Sequence, residues 1–278
     1  MRKVFFISLL GIIALYGCYT ASKLNVQNLA SQYDKRMQFT RTENTIWHND
    51  TNSSTLYYTL DLQDFAYRRP KPGDSPASKF SVTYELYPSY ESDVLIDSLT
   101  NFFKDSLFYK RKGRIIESFD IPASYPNNYM LKLIVRDLNT KKSINTYINI
   151  YKKNGFSDQN FFVMQRDNIP SFRRYFSADE KFKIKYNNNK IRKLFVRYYD
   201  REFPIAKPPF VMDVDVTFNY VADSIFVVEM NNGKTSELTL PKEGIYHFQV
   251  DTNRTAGLTL YNFYNDFLCA LKFYATFF

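Results

Sequence analysis

Cysteine is nearly missing from this 278-residue chain, which holds only Cys18 and Cys269. If Cys18 is taken up by another chemistry, no internal disulfide can form, and the fold must rest on its core. Histidine is as scarce, with only His48 and His247, and Trp47 is the single tryptophan. The 8 glycines form no P-loop, no Rossmann fingerprint and no G-x-S-x-G elbow, and no H-E-x-x-H zinc pair occurs. Cys269 has no histidine in its own segment, so a Cys–His nucleophile is not expected. These absences lead to the expectation of a non-enzymatic chain with no catalytic residues and no cofactor.

What is abundant is aromatic. There are 26 Phe and 23 Tyr, and aromatic residues make up 18% of the chain. Such side chains suit pleated, half-buried surfaces and point to β structure. With 45% apolar residues the chain can fill a core and is not expected to be disordered. The formal charge is +9, a moderately basic balance compatible with anionic lipid or acidic glycan.

The N-terminus carries the clearest address. Arg2 and Lys3 precede an apolar run over residues 4–16, and Leu15-Tyr16-Gly17-Cys18 reads as a bacterial lipobox. The run is shorter than the roughly 20 residues of a spanning helix, so residues 1–17 read as a lipoprotein signal peptide. Cleavage before Cys18 would expose a lipidation site, each acyl methylene adding about 0.8 kcal/mol of membrane affinity. The alternative is an uncleaved anchor with Cys18 as a bystander. Loss of Arg2 and Lys3 with the signal takes the charge from +9 to +7. No acidic residue falls between Cys18 and Asp34, which favours a periplasm-facing outer-membrane lipoprotein over a surface-exported one. Nucleic acid is not an expected partner in that compartment.

Residues 18–52 read as a polar tether. Short apolar-alternating segments follow, at 55–62, 80–88, 94–103, 114–121, 129–136 and 144–151. In Phe80-Ser81-Val82-Thr83-Tyr84-Glu85-Leu86 every second side chain is apolar, the pattern of one buried face. After the polar stretch 154–160 a second set begins, at 161–165, 182–186, 193–199, 213–220, 224–229, 236–240, 246–250 and 258–263. Both sets end alike: a proline, then a tyrosine opening the penultimate strand, Pro122 with Tyr129 and Pro241 with Tyr246. This resembles the tyrosine corner of immunoglobulin-like sandwiches, where the hydroxyl bonds back to the preceding connection. The expected fold is all-β: two tandem immunoglobulin-like β-sandwich domains, at 53–154 and 155–278, after a signal peptide and tether.

Candidate binding residues are few. Asp213 and Asp215 project to one side of an expected strand and, with Asp223, could begin a calcium site. Calcium needs about six to eight oxygens, so a charged solvent face is the competing reading and no metal is expected. Arg111 and Arg114 lie in a basic cluster at an expected hairpin tip that could contact anionic lipid, a partner or a glycan, with a solvated turn as the alternative. In Tyr198-Tyr199, Phe102-Phe103 and Phe161-Phe162 alternation sends one ring to the core. The other is left for interdomain packing, a partner or a glycan. His247 reads as a solvated strand histidine and His48 as a tether residue.

Three stretches resemble the GWxTD-domain proteins of Bacteroidetes. Tyr198-Tyr199-Asp200-Arg201-Glu202-Phe203-Pro204-Ile205-Ala206-Lys207-Pro208-Pro209-Phe210 is similar to their linking segment. Leu240-Pro241-Lys242-Glu243-Gly244-Ile245-Tyr246-His247-Phe248-Gln249 resembles their second β domain, and Phe80-Ser81-Val82-Thr83-Tyr84-Glu85-Leu86-Tyr87 their first. The resemblance implies an exported, lipid-anchored protein and carries no established activity. The family's Gly-Trp-x-Thr-Asp motif is absent, and the apolar tail after Asp266 reads as a truncated end, with a genuine hydrophobic terminal strand as the alternative. The sequence leads to a lipid-anchored envelope protein, structural or protein-interacting in role. A glycan-binding lipoprotein, or a remnant of a longer protein, is the alternative.

Overall fold

The computed structural model describes residues 39–69, 71–106, 113–165, 169–200, 221–253 and 255–262. These residues are all-β, with no α-helix among them. The first unit holds β1 (Asn44–His48), β2 (Ser54–Asp61), β3 (Ser78–Tyr87), β4 (Asp97–Asp105), β5 (Arg114–Ile121), β6 (Asn128–Asp137) and β7 (Ser143–Tyr151). One sheet runs β1-β2-β5 and the other β4-β3-β6-β7, all antiparallel. Phe80, Val82, Tyr84 and Leu86 of β3 and Leu131, Leu133 and Val135 of β6 turn inward at period two. They meet Leu56, Tyr58 and Leu60 of β2 in one buried cluster, which makes the unit a sandwich.

The second unit holds β8 (Phe161–Met164), β9 (Lys183–Tyr186), β10 (Lys193–Tyr199), β11 (Ser224–Asn231), β12 (Lys234–Thr235), β13 (Gly244–Gln249) and β14 (Leu258–Asn262). Its sheet order is β14-β13-β10-β11-β12-β9-β8. β11 pairs with β10 along its first part and with β12 through Met230 and Asn231. It thereby carries the sheet around a single core of Val163, Ile184, Val196, Phe248 and Leu260. Asn232 and Gly233 both have positive φ, 50° and 71°, and form the two-residue turn into β12. That turn starts the next strand early. The segment expected at 236–240 is therefore reduced to Lys234–Thr235 and one bridge from Leu238 to Phe182.

Both tyrosines expected at the corners bond the backbone of the connection before them. Tyr129 Oη donates to Ser124 O at 3.0 Å and accepts from Ser124 N at 3.1 Å. Tyr246 Oη does the same with Lys242 O at 2.9 Å and Lys242 N at 3.1 Å. Gly244 follows directly with φ +140°, and a Cβ there would stand 2.5 Å from Tyr199 O, so glycine is required. Each hydroxyl serves both a donor and an acceptor. Removing that of Tyr246 leaves Lys242 N and O short, and removing that of Tyr129 leaves Ser124 N short while Ser124 O keeps its bond from Asn127 N. Tyr129→Phe and Tyr246→Phe are each expected to cost about 1–3 kcal/mol, read as a lower urea midpoint at unchanged m.

The expected tether boundary at residue 52 is corrected. Asn44–His48 form β1, pairing with β2 from Asn44↔Tyr58 to His48↔Ser54. Its alternation is only five residues long and embedded in polar sequence, so the strand depends on β2 for its form. Residues 18–38 lie outside the described residues. The 154–160 stretch between the units is a hydrogen-bonded turn. Asn160, 3% exposed, donates to Asn154 O, Ser157 O and Ser157 Oγ, while Gln159 Oε1 accepts from Tyr151 N at 2.8 Å.

Candidate functional site

The two units meet on aromatic rings. Phe162 points away from its own core, because its neighbours Phe161 and Val163 take the inward positions. It lies between Trp47 of β1 and Tyr57 of β2, with ring centroids 5.1 Å from each. Lys185, its partner across β8 and β9, sets its ammonium 4.5 Å over the Trp47 ring. Phe162 is 7% exposed, so this contact is dry at its centre.

Beside these rings opens a cleft of about 640 Å³. The first unit lines it with His48, Asp50, Tyr125 and Lys152, the second with Tyr186 and residues 187–190. The floor is a buried polar knot at the open ends of β1, β2 and β7. His48 Nδ1 is 2.9 Å from Ser54 Oγ. Lys152 Nζ donates to that same oxygen at 3.1 Å and also to Ser53 O. Burial first and the nearby Lys152 ammonium second, against the Tyr151 backbone, bring the His48 imidazolium down to about 4. Burial likewise brings the Lys152 ammonium down to about 8, against the pull of Asp50. His48 therefore stands neutral at pH 7, and its Nε2 is buried with no hydrogen-bond partner of normal geometry.

The knot has the residue types of a nucleophile and its base, but Ser54 is 0% exposed. No substrate carbonyl can reach a hydroxyl sealed under its own strands, so the arrangement can orient and attract but not attack. Asp50 is engaged locally: its carboxylate accepts from Asn52 N, Ser53 N and Ser53 Oγ at 2.7, 2.8 and 3.0 Å. Across the cleft, Asn187 Nδ2 donates to Asn160 Oδ1 at 2.7 Å and Tyr186 Oη to Gly155 O at 2.8 Å. These bonds tie the second unit's wall to the connecting turn.

The residues singled out from sequence fall elsewhere. Of Tyr198 and Tyr199, offered together as a candidate partner or glycan surface, Tyr198 lies in the core and is corrected: it is 7% exposed, its ring centroid is 5.0 Å from that of Tyr246, and its hydroxyl donates to Glu243 O at 2.6 Å. Alternation on β10 turns Tyr198 inward and leaves Tyr199 half-buried on the other face. Arg114 is bound within the chain, its Nη1 2.6 Å from Glu43 Oε2, so it is not an unengaged hairpin tip. His247 is held by Thr259 Oγ1 at 2.9 Å and Thr255 O at 3.0 Å, a bridge between β13 and the loop before β14. Burial lowers its imidazolium as well. Cys18, Arg111, Asp213 and Asp215 lie outside the described residues. Among the described residues no group of three or more His, Cys, Asp or Glu is placed to hold a metal, and no helix is long and apolar enough to cross a membrane.

Sequence reasoning missed the site because it assigned His48 to a tether and gave Lys152 no role. Trp47-His48 beside an apolar Ile46 was the available signal, since polar linkers seldom carry such a pair. No protein-family model matches the chain, and no curated protein matches it.

Proposed function

We propose that this chain is a non-enzymatic module of the cell envelope, held to the outer membrane by lipid on Cys18 and serving a structural or protein-interaction role. Its two units are, on this reading, immunoglobulin-like sandwiches related to the β domains of GWxTD-domain proteins. The paired tyrosine corners and the lipobox support that assignment. The observation that carries the non-enzymatic reading is the sealed knot, in which Ser54 is 0% exposed beside His48 and Lys152. Such a group shapes and charges a wall and leaves a ligand chemically unchanged. Exposed Leu99 and Phe102 on the edge strand β4, at 50% and 74%, favour a protein partner. A second reading, glycan binding, is favoured by the cleft, where amides and tyrosine rings line one concave surface.

Anchoring is tested by expressing the full chain in a Gram-negative host and fractionating it with detergent. The wild type should partition with membranes and carry acyl mass on Cys18, and Cys18→Ala should move to the aqueous phase. Retention of Cys18→Ala in the membrane fraction would overturn the lipid anchor.

A further inference from the structure

The cleft between the units gathers groups whose hydrogen-bonding capacity the protein leaves unspent. Lys152 is 3% exposed and commits two of its three N–H bonds, to Ser53 O and Ser54 Oγ. Among the described residues no carboxylate stands within ion-pair distance of it. Asp50, the acid whose field reaches it, already accepts three hydrogen bonds from its own turn. Burying a cation without a counter-ion is costly, and an anion entering the cleft offsets that cost. A second ammonium, Lys190, sits exposed on the opposite wall, so the cleft holds two cations against one engaged carboxylate.

The remaining lining suits sugar chemistry. Asn188 spends its Oδ1 on Lys190 N at 2.9 Å, which leaves its NH₂ for a ligand hydroxyl. Tyr125, 52% exposed at the rim, offers an open aromatic face to the C–H surface of a pyranose ring. A volume of about 640 Å³ accepts one or two sugar rings.

The geometry points to this cleft as a binding site for an acidic saccharide, with the sugar carboxylate on the exposed Lys190 and drawn toward the field of the buried Lys152 in the cleft wall, and the ring on Tyr125. The inference rests on the glycan reading above and narrows it to a class of sugar. Phosphate would satisfy the ammonium groups but leave the amides and the open ring without a role.

The test is calorimetric titration of the full chain with digalacturonate, neutral galactobiose and inorganic phosphate. Digalacturonate should bind at least about tenfold more tightly than either of the others. Lys190→Ala and Tyr125→Ala, both surface changes that leave the buried knot intact, should each weaken digalacturonate binding by about tenfold. Equal affinity for galactobiose, with Tyr125→Ala still weakening both, would overturn the acidic assignment and leave the glycan reading standing. Phosphate binding as tightly as digalacturonate, or indifference to both variants, would overturn the site. Absence of all saccharide binding would overturn the inference and the glycan reading together, with the anchoring result on Cys18 unaffected.

Discussion

Phe162→Ala is expected to lower the stability of the protein by about 3 kcal/mol and to uncouple its two units. Phe162 stacks between Trp47 and Tyr57, each 5.1 Å away, and is 7% exposed. Truncation removes both ring contacts and leaves a void that neither sheet can close, because each is pinned by its own ladder. The outward position of Phe162 on β8 means the second unit's core is untouched. The loss therefore falls on the contact between units. Differential scanning calorimetry should show one transition for the wild type and a split or broadened profile for Phe162→Ala. Phe162→Leu, which retains most of the apolar volume, should cost less than half as much. A variant as stable as the wild type, with one sharp transition, would show that the rings touch without holding the units together.

Acid should destabilise the protein mainly through His48, with His247, whose imidazolium burial also lowers, acting in the same direction. His48 has a folded-state imidazolium near 4 against an ordinary 6.5, lowered by burial first and by the Lys152 ammonium second. Above 6.5 the ring is neutral in both folded and unfolded chains and contributes no pH dependence. As pH falls from 6.5 toward 4, the unfolded chain takes a proton that the folded one refuses. Stability is lost across that window, by about 3 kcal/mol in all. Chemical denaturation at pH 7 and pH 4 should record this loss, and His48→Gln should remove most of it. Lys152 acts in a separate window. Its folded value near 8 lies below the ordinary 10.5, so stability rises from pH 8 to 10.5 as the unfolded ammonium also gives up its proton. An identical acid slope in wild type and His48→Gln would place the acid sensitivity in other groups.

Local pattern made much of the fold legible. The period-two alternation of Phe80, Val82, Tyr84 and Leu86 marked β3 because a half-buried strand needs nothing beyond its own residues to declare its inner face. Proline followed by tyrosine marked both corners, since the hydroxyl of Tyr129 or Tyr246 reaches only five or four residues back along the chain. The site was not legible for the opposite reason. Ser54 and Lys152 are 98 residues apart in sequence and meet only because β2 and β7 end at the same edge of the sandwich. Asp50, the acid beside them, has the local sequence of an ordinary turn. By alternation alone Phe161-Phe162 is one core ring and one free ring, with interdomain packing as one use of the free ring. That the ring between the units would be Phe162, and that it would lie on Trp47, depends on the docking of two sheets that no single segment encodes. Tyr198-Tyr199 carried the same ambiguity, and only the β10–β13 register sends Tyr198 inward onto Tyr246.

Trp47 is the only tryptophan of the chain and lies in the contact between the units, under Lys185 and against Phe162. Its fluorescence therefore reports directly on whether the two sandwiches form one docked pair that maintains the cleft. The decisive measurement follows Trp47 emission and far-ultraviolet circular dichroism through the same urea titration. Coincident transitions are predicted, because the rings separate only when the sheets themselves unfold. A shift of Trp47 emission toward its solvent-exposed value at lower urea, with the β signal unchanged, would contradict a standing interface and the cleft beside it.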